Sequence, residues 1–357
     1  MIDLKKFDIW LDDTGPAALV IREHLLPVEG ADGVLFPATF ATGDGFPGGY
    51  NVDHFADGKS VCLIDSVGSQ ANRIEPVFCK AGYSELVPQI VVKAGEKLVN
   101  LLEAGHRAGD AIVRCSELQE ELRAGFVSVQ SGKAEPLAKI APTSLVFGAW
   151  DSRDTGAKLP RLIASTIRAF DVRELKRSAQ YVPAAEYVKS GLLDEAADKK
   201  ARDAYAERGF IHVPASGAPG GVIATGGIRR DAALHLAALR LLGAGEDHEK
   251  TLTLQRYVLG LALTAFTYPA AGYLRQGCNL VSDPDKPREF SEVYSDGRRV
   301  TATVRHEDAL EYAHAAAKDF GVGNNRSVEF DKERAKKDIS GEGAKGKSRK
   351  LEVRPTK

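Results

Sequence analysis

The stretch KSVCLIDSVGSQANRIEPVF, residues 59–78, places a predicted strand directly before a predicted helix. Residues 59–65 contain the apolar run Val61–Ile64, two of whose four residues are β-branched, which favours a strand. Ser66 is then positioned to cap a helix that continues through residue 78, although Gly68 weakens its first turn. A helix N-terminus presents free backbone amides, and hydroxyl and amide side chains surround this one. We therefore expect an anion-binding helix start directly after a strand.

The rest of the chain mixes strands and helices without a regular alternation. Apolar runs predict strands at residues 17–28 and 88–93, while residues 161–172 fit either a strand or a helix. Helical patterns cover residues 107–124, 184–208, 231–242, 251–266 and 307–320. Asp296–Gly297, between two alternating segments, predicts a tight turn within residues 289–304. This order predicts an α+β fold.

Two segments rich in glycine and proline interrupt the pattern. Residues 30–50 predict a long irregular loop, and long ordered loops are usually functional. In residues 207–228, the apolar runs Phe210–Val213 and Val222–Ala224 flank a Pro/Gly-rich segment. This pattern predicts a β-hairpin that projects from the body.

Residues 144–161, SLVFGAWDSRDTGAKLPR, run from an apolar segment into a loop that carries one aromatic side chain and three cations. Leu145–Phe147 begins like a buried strand, and Gly148 ends it. Loops carry the functional groups that a scaffold cannot bury.

The bulk composition is that of an ordinary globular protein and excludes little. The 357 residues suit one or two domains, with 43% hydrophobic and 27% charged residues. The net charge of −1 gives no bulk support for nucleic-acid or membrane binding, so a polyanion site must be a local cluster. No apolar run approaches the roughly 20 residues of a membrane-spanning helix, and we expect a cytoplasmic protein.

The C-terminal segment differs from the rest of the chain. Residues 331–357 contain ten Lys or Arg, five Asp or Glu and few apolar residues. Such a segment buries too little apolar surface to order itself, so we expect a disordered basic tail. Residues 1–330 are then interpreted as a single folded domain.

No catalytic, metal-binding or cofactor-binding motif is present. The eight histidines form no His-x-x-x-His pair, and the four cysteines form no Cys-x-x-Cys pair. The segment GAPGG, residues 217–221, leads into a predicted strand instead of a helix, which argues against a dinucleotide loop. We therefore expect neither catalytic residues nor a cofactor.

Four clusters instead carry groups suited to a phosphate backbone. They carry cations, and some also hydroxyl or amide side chains, beside glycines or a helix start, and these residue types contact phosphate oxygens. The clusters are Ser66, Ser69, Gln70, Asn72 and Arg73; Arg153, Lys158 and Arg161; Arg229 and Arg230; and Arg275 and Gln276.

The order of these motifs resembles a known family. The stretches are LIDSVGSQANRIE (63–75), TSLVFGAWDS (143–152), HVPASGAPGGVIATGGIRRDAALHLAALR (212–240) and YLRQGC (273–278). Together they are similar to the CRISPR-associated RAMP-superfamily backbone subunit of type I-U, or type I-G, Cascade effector complexes. The similarity runs from about residue 17 to about residue 325.

The resemblance implies a fold and a role. The fold would be a modified RNA-recognition-motif palm, ferredoxin-like, with helical insertions and a projecting thumb hairpin. Several copies would polymerise along one CRISPR RNA (crRNA), grip its backbone independently of sequence and leave spacer segments free to pair with target DNA. The implied partners are crRNA, target DNA through the guide, other copies of the chain, and the large and crRNA-processing subunits.

The resemblance also assigns roles to individual residues. The four clusters become RNA contacts, and Trp150 and Ser152 join the second cluster. Ser152 would lie near RNA phosphates, and Trp150 would either stack on a base or be a core or hinge aromatic. The thumb is assigned to residues 207–228, with Phe210, His212, Val213, Val222 and Ile223 as its side chains. Residues 30–50 are the competing thumb candidate.

Three alternatives stay open. Related subunits of type III systems cut target RNA with a loop aspartate, and Asp44 and Asp151 occupy predicted loops here. A nucleotide-dependent enzyme would use GAPGG. A structural subunit that contacts only protein would form assemblies without RNA. The resemblance to type I subunits favours a protein without catalytic activity.

Overall fold

A computed structural model describes residues 3–269 and 272–340. The strands are β1 (Ala18–Pro27), β2 (Thr39–Phe40), β3 (Gly49–Tyr50), β4 (Val52–His54), β5 (Ser60–Asp65), β6 (Ile90–Ala94), β7 (Lys97–Asn100), β8 (Ile163–Phe170), β9 (Val172–Tyr181), β10 (Val213–Ala224), β11 (Ile228–His235), β12 (Tyr273–Arg275), β13 (Cys278–Ser282), β14 (Glu289–Val293), β15 (Arg299–Thr301) and β16 (Arg326–Glu329). The helices are α1 (Val67–Ile74), α2 (Ala111–Arg114), α3 (Gln119–Gln130), α4 (Glu135–Ala138), α5 (Thr143–Phe147), α6 (Lys199–Glu207), α7 (Leu236–Leu239), α8 (His248–Thr267), α9 (His306–Phe320) and α10 (Lys332–Ser340).

An antiparallel sheet forms the centre of the protein. Its strand order is β12-β13-β1-β11-β8-β5-β4, and β14 also pairs with β1 and continues to β15. Separate small sheets join β16, β6 and β7, and β2 with β3. The chain combines helices with a central antiparallel sheet, which confirms the predicted α+β class.

The helices cover one face of the central sheet, which we call the core face. Alternate residues of β1, such as Leu19 and Ile21, are fully buried there against α8, α9 and the other helices. A second, smaller apolar cluster includes Leu25 of β1 and Leu35 of the loop that follows. The opposite face, which we call the open face, carries the partly buried alternate residues of the same strands.

A buried ion pair lies between these two apolar clusters. Glu23 of β1 and Arg230 of β11 are directly opposite in the register, and Arg230 Nε lies 3.1 Å from Glu23 Oε2. Both residues are more than 90% buried. Ser282 donates a hydrogen bond to the same carboxylate. The interior therefore consists of two hydrophobic clusters with a charged pair between them.

A two-stranded ribbon continues the sheet, and we call residues 172–224 the arm. β9 follows β8 after Asp171, whose φ of 48° is left-handed, and β10 leads back into β11. The far end of the arm holds residues 182–212, including α6. The loop of residues 30–50 packs on its base, where Leu35 bridges Val222.

The arm corrects the predicted hairpin. Val213 and Val222 lie on the same strand, β10, opposite Tyr181 and Glu174 of β9. The two apolar runs of residues 207–228 therefore do not pair with each other. The hairpin prediction was wrong because the partner strand lies about 40 residues away in sequence, beyond the reach of local turn signals.

Several local predictions are confirmed and others are wrong. The strands near residues 17–28, 59–65 and 88–93, helices α8 and α9, and the turn at Asp296–Gly297 form as expected. SLVF forms helix α5 instead of a strand, since a short, wholly buried apolar run has no periodicity to separate the two. Residues 231–235 continue strand β11, because pairing with β1 and β8 overrides their helical composition.

Three further predictions are corrected, two of them for helices and one for the C-terminal tail. Only residues 199–207 of the segment 184–208 are helical, and residues 107–124 divide into α2 and α3. The tail prediction is wrong for residues 332–340, which form α10. This helix is held to the body by Arg114, whose Nη1 lies 2.8 Å from Asp338 Oδ1. The remainder of the predicted tail, residues 341–357, lies outside the described residues.

Candidate nucleic-acid interface

Residues 148–161 form one wall of a cleft of about 780 Å³. The other wall consists of residues 105–111, and we call the space between them the cleft. The cleft brings together Trp150, Ser152, Arg153, Lys158 and Arg161, the whole second cluster of the predicted site. All five side chains are exposed.

The backbone of the first wall explains why these side chains point outward. Gly148 follows α5 with a φ of 76°, and a Cβ there would lie 2.7 Å from Arg161 Cγ. Asp151 is buried and fastens the turn, since the amide and hydroxyl of Thr155 both donate to its Oδ2, at 2.9 and 2.6 Å. Trp150 and Lys158 face each other as an isolated β-bridge.

Trp150 is a surface aromatic, not a core residue. Its side chain is 62% exposed, and the ammonium of Lys158 lies 5.7 Å from the centre of its ring. An exposed indole beside a lysine can stack on a planar group while the cation contacts an anion. The alternative of a core aromatic at this position was therefore wrong.

Arg107 is a buried residue of the second wall, and it was not predicted from the sequence. The residue has a left-handed φ of 54° and is 3% exposed. Its Nε lies 2.6 Å from Glu75 Oε2, while its Nη1 donates to Gly148 O at 3.3 Å. Nη2 donates to Asn72 Oδ1 at 3.1 Å. The exposed Asn72 therefore holds Arg107 through its Oδ1.

Burial perturbs both members of this ion pair. Burial raises the pKa of the Glu75 carboxyl to about 7, and attraction to Arg107 only partly opposes the rise. Burial also lowers the pKa of the Arg107 guanidinium, against the effect of Glu75, and Arg161 lowers it further. The Arg107 guanidinium, with Glu75 as its counter-charge, lies beneath the cleft and close to Arg161.

The start of α1 adjoins the cleft through Arg161. Ser66 caps the helix as predicted, with its hydroxyl accepting from Ser69 N at 3.2 Å. A Cβ placed on Gly68 would lie 3.8 Å from Arg161 Nη2, so the guanidinium rests over the first turn. The structure therefore joins the first and second predicted clusters at one place.

Most side chains of the first cluster bind a buried aspartate that sequence reasoning did not identify. Asp65, at the end of β5, has a fully buried side chain. Its acceptors receive hydrogen bonds from Ser69 Oγ (2.8 Å), Gln70 Nε2 (2.6 Å), Arg73 Nε (3.2 Å) and Arg275 Nη2 (2.9 Å). These side chains build the site: Gln70 is buried, whereas Ser69, Arg73 and Arg275 retain partial exposure. Gln276 is exposed in the turn between β12 and β13.

The remaining predicted contacts do not reach the cleft. Arg229 and Arg230 are adjacent on β11 and face opposite sides of the sheet. Arg230 lies in the buried pair with Glu23, and burial lowers the pKa of its guanidinium. Arg229 lies on the open face, bound to Asp231 at 2.9 Å.

The thumb residues lie in the arm, but not as a hairpin. Phe210 packs edge-on against Tyr187, and His212 Nε2 lies 2.7 Å from Glu186 Oε1, both at the far end. Val213 pairs near that end as well. Val222 and Ile223 lie at the base.

Residues considered for other chemistry are dispersed. Within residues 3–269 and 272–340, no group of three or more His, Cys, Asp or Glu residues is placed to hold a metal. Asp44 is exposed in the 30–50 loop, whereas the Asp151 carboxylate is already engaged by Thr155. GAPGG lies within β10 and precedes no helix. The helices of the described segments are all too short or too polar to cross a membrane.

A comparison with known protein families matches the part of the chain that contains the cleft. Residues 19–174 match the family model described as CRISPR-associated protein GSU0053. This match supports a CRISPR-associated protein. The matched region runs from β1 to the first residues of the arm, and it includes Asp65, the start of α1 and both walls of the cleft. No curated protein matches the chain.

Proposed function

We propose that this chain is a non-catalytic RNA-binding backbone subunit of a CRISPR type I-U, or I-G, Cascade complex. Copies of the chain assemble along one crRNA, grip its phosphates and expose spacer segments for pairing with target DNA. The large subunit and the crRNA-processing subunit complete the complex. The observation that carries the proposal is the cleft, where Trp150, Lys158 and Arg161 line one wall and Arg161 reaches the start of α1.

The chemistry of the cleft suits a nucleic-acid backbone. Lys158 and Arg161 are exposed cations, and the capped N-terminus of α1 adds backbone amides at the same place. Trp150 adds a stacking surface that accepts any base. A subunit that carries guides of varying sequence needs this kind of contact, because phosphates and π-faces are common to all nucleotides.

The arm supports the assembly part of the proposal. It is a ribbon continuous with β8 and β11, and it carries its own small aromatic cluster of Tyr187, Tyr205 and Phe210 at the far end. We assign the thumb to residues 172–224, in place of 207–228. A heterologous contact made by such an arm generates a helical filament when it does not close into a ring.

RNA binding is tested by removing the two cleft cations. The Lys158→Gln/Arg161→Gln double variant is compared with Lys97→Gln/Arg298→Gln, which changes exposed cations elsewhere. Fluorescence anisotropy with two unrelated single-stranded RNAs over a salt series measures affinity. The cleft variant should lose affinity equally for both, with a salt slope lower by about 1.4, or about 0.7 per lost phosphate contact.

The stacking role of Trp150 is tested in the same assay. Trp150→Leu should weaken binding and leave the salt slope unchanged, since stacking releases no counterions. Equal affinities for the cleft and control variants would contradict the proposal. A loss confined to one RNA sequence would also contradict it.

The assembly role needs the complex. The chain is co-expressed with and without a CRISPR array and the partner subunits, and its absorbance ratio at 260 and 280 nm is read before and after RNase. A large assembly with RNA of discrete length only when the array is present is the expected result. An assembly that survives RNase and carries no RNA would indicate a structural subunit that contacts only protein.

A further inference from the structure

Three basic side chains lie side by side across the open face of the sheet. In the strand register, His24 of β1 is opposite Arg229 of β11, which is opposite Arg168 of β8. Directly paired residues of antiparallel strands present their side chains on the same face. We call these three residues the basic row.

The basic row is on the other side of the sheet from the cleft. Gln70 of α1 accepts a hydrogen bond from Ser165 on the core face, and Ser165 and Arg168 point to opposite faces of β8. The start of α1, which adjoins the cleft, therefore lies behind the sheet when it is viewed from the basic row.

Like charges directly opposite each other destabilise a sheet. Asp231 balances part of the charge here, since its carboxylate lies 2.9 Å from Arg229 Nε and 3.5 Å from Arg22 Nε. Arg168 donates to Thr166 Oγ1 at 2.7 Å. Among the residues that the structure describes, no carboxylate lies within 4 Å of the Arg168 guanidinium. The row thus presents an excess of positive charge that an external anion would stabilise.

A pocket of about 440 Å³ adjoins the row, and its lining combines apolar side chains with Asp57, Lys59, Ser60 and Asp171. Phe170, two residues beyond Arg168 on the same face, lines it together with Val61, its partner on β5. Phe55, at the turn before β5, is 53% exposed on its rim. The Arg229 guanidinium lies 4.8 Å from the centre of the Phe170 ring, so the cations and the pocket are in direct contact.

We propose that the open face binds a nucleotide, with its phosphate on Arg168 and Arg229 and its base in the pocket of Phe55, Val61 and Phe170. A nucleotide matches both halves of the site, because it joins an anion to a planar apolar ring. An acidic peptide would satisfy the basic row and leave the pocket unfilled. The site lies apart from the cleft and does not depend on the function proposed for it.

Photocrosslinking locates this site directly. A ten-nucleotide RNA containing 4-thiouridine is irradiated with the full-length protein, and the crosslinked peptides are identified by mass spectrometry. We expect crosslinks at Phe55 or Phe170, separate from any at Trp150. Arg168→Gln should reduce the crosslinks at the pocket roughly tenfold, the usual effect of losing one hydrogen bond to a charged group.

Two variants separate binding from folding. Phe170→Leu keeps an apolar residue on β8 and should also reduce the crosslinks at the pocket. Arg298→Gln, at the turn between β14 and β15, should change nothing. Circular dichroism spectra of Arg168→Gln and Phe170→Leu that match the wild type show that both variants are folded. Because both residues lie on the open face, any crosslinks at Trp150 should persist in them.

Competition identifies the source of the nucleotide. Protection of the pocket by the RNA strand but not by UMP at equal phosphate concentration assigns the site to a nucleic-acid strand; equal protection assigns it to a free nucleotide. The proposal is overturned if crosslinks at Phe55 and Phe170 are absent from the folded protein, whether or not those at Trp150 form. It is also overturned if polyglutamate competes as well as RNA and Phe170→Leu has no effect.

Discussion

The buried carboxyl of Glu75 makes the stability of this protein depend on pH in an unusual direction. Burial raises the pKa of this group from 4.5 to about 7. Between these two values the folded protein holds a proton that the unfolded chain has released. The folded state therefore binds more protons, and the free energy of unfolding decreases as pH rises through this interval. Most paired carboxylates have the opposite effect, because their pKa values are lowered on folding.

The magnitude follows from the width of the interval. One pH unit is worth about 1.4 kcal/mol. The interval from 4.5 to about 7 then corresponds to about 3 kcal/mol of unfolding free energy. The contribution is fully present below pH 4.5, decreases steadily above it, and is lost once the pH exceeds about 7.

Urea denaturation of wild type and Glu75→Gln at intervals from pH 4.5 to pH 8 measures the effect. Glutamine keeps the size of the side chain but does not titrate, so the wild type should lose about 3 kcal/mol more than the variant over this range. Asp57→Asn, at an exposed carboxylate, is the control and should follow the wild type. Parallel curves for wild type and Glu75→Gln, or a wild type that gains stability relative to Glu75→Gln, would refute the reasoning.

Two further predictions concern the network at the end of β5 and the base of the arm. Asp65→Ala should cost about 3 kcal/mol or more in urea denaturation, because it leaves two arginines without their buried partner, whereas Asp57→Ala should cost less than about 0.5 kcal/mol. A small loss at Asp65 would contradict the network. Gly221→Ala should increase proteolysis of residues 30–50, because its Cβ would lie 2.8 Å from Leu35 O, while Gly217→Ala, also left-handed but in open space, should not. Equal cleavage of both variants would contradict this packing.

Elements with a strong local signal were predictable from the sequence. Ser66 before a helix, the Asp296–Gly297 turn and the long apolar pattern of α8 all depend on residues close together in the chain. The arm was not predictable in the same way, since β9 and β10 pair across residues 182–212. Residues 231–235 of β11 were predicted to be helical because their alanines favour a helix. They form a strand because they pair with β1 and β8.

In the candidate site, too, the residues with local sequence signals were predictable and those with distant partners were not. The exposed wall of the cleft was predictable, because glycines, cations and Trp150 stand together within residues 148–161. The buried residues that shape the site were missed. Asp65 and Arg107 act on partners that lie elsewhere in the sequence, such as Arg275 and Gly148. Asp65 had one usable signal, an acidic residue at the end of an apolar strand directly before the capped helix.

The ion pair between the two apolar clusters has a consequence for how accurately the sheet can form. Glu23 and Arg230 meet only in one alignment of β1 with β11. A slip by one residue would turn the paired charges to opposite faces, and a slip by two would place each against apolar neighbours without a counter-charge. Both misaligned registers are therefore less favourable than the native one. The effect acts on β1 and β11, which lie in the middle of the central sheet. The pair thus favours the native register of β1 with β11 over the alternatives, and this role is separate from any contribution to stability.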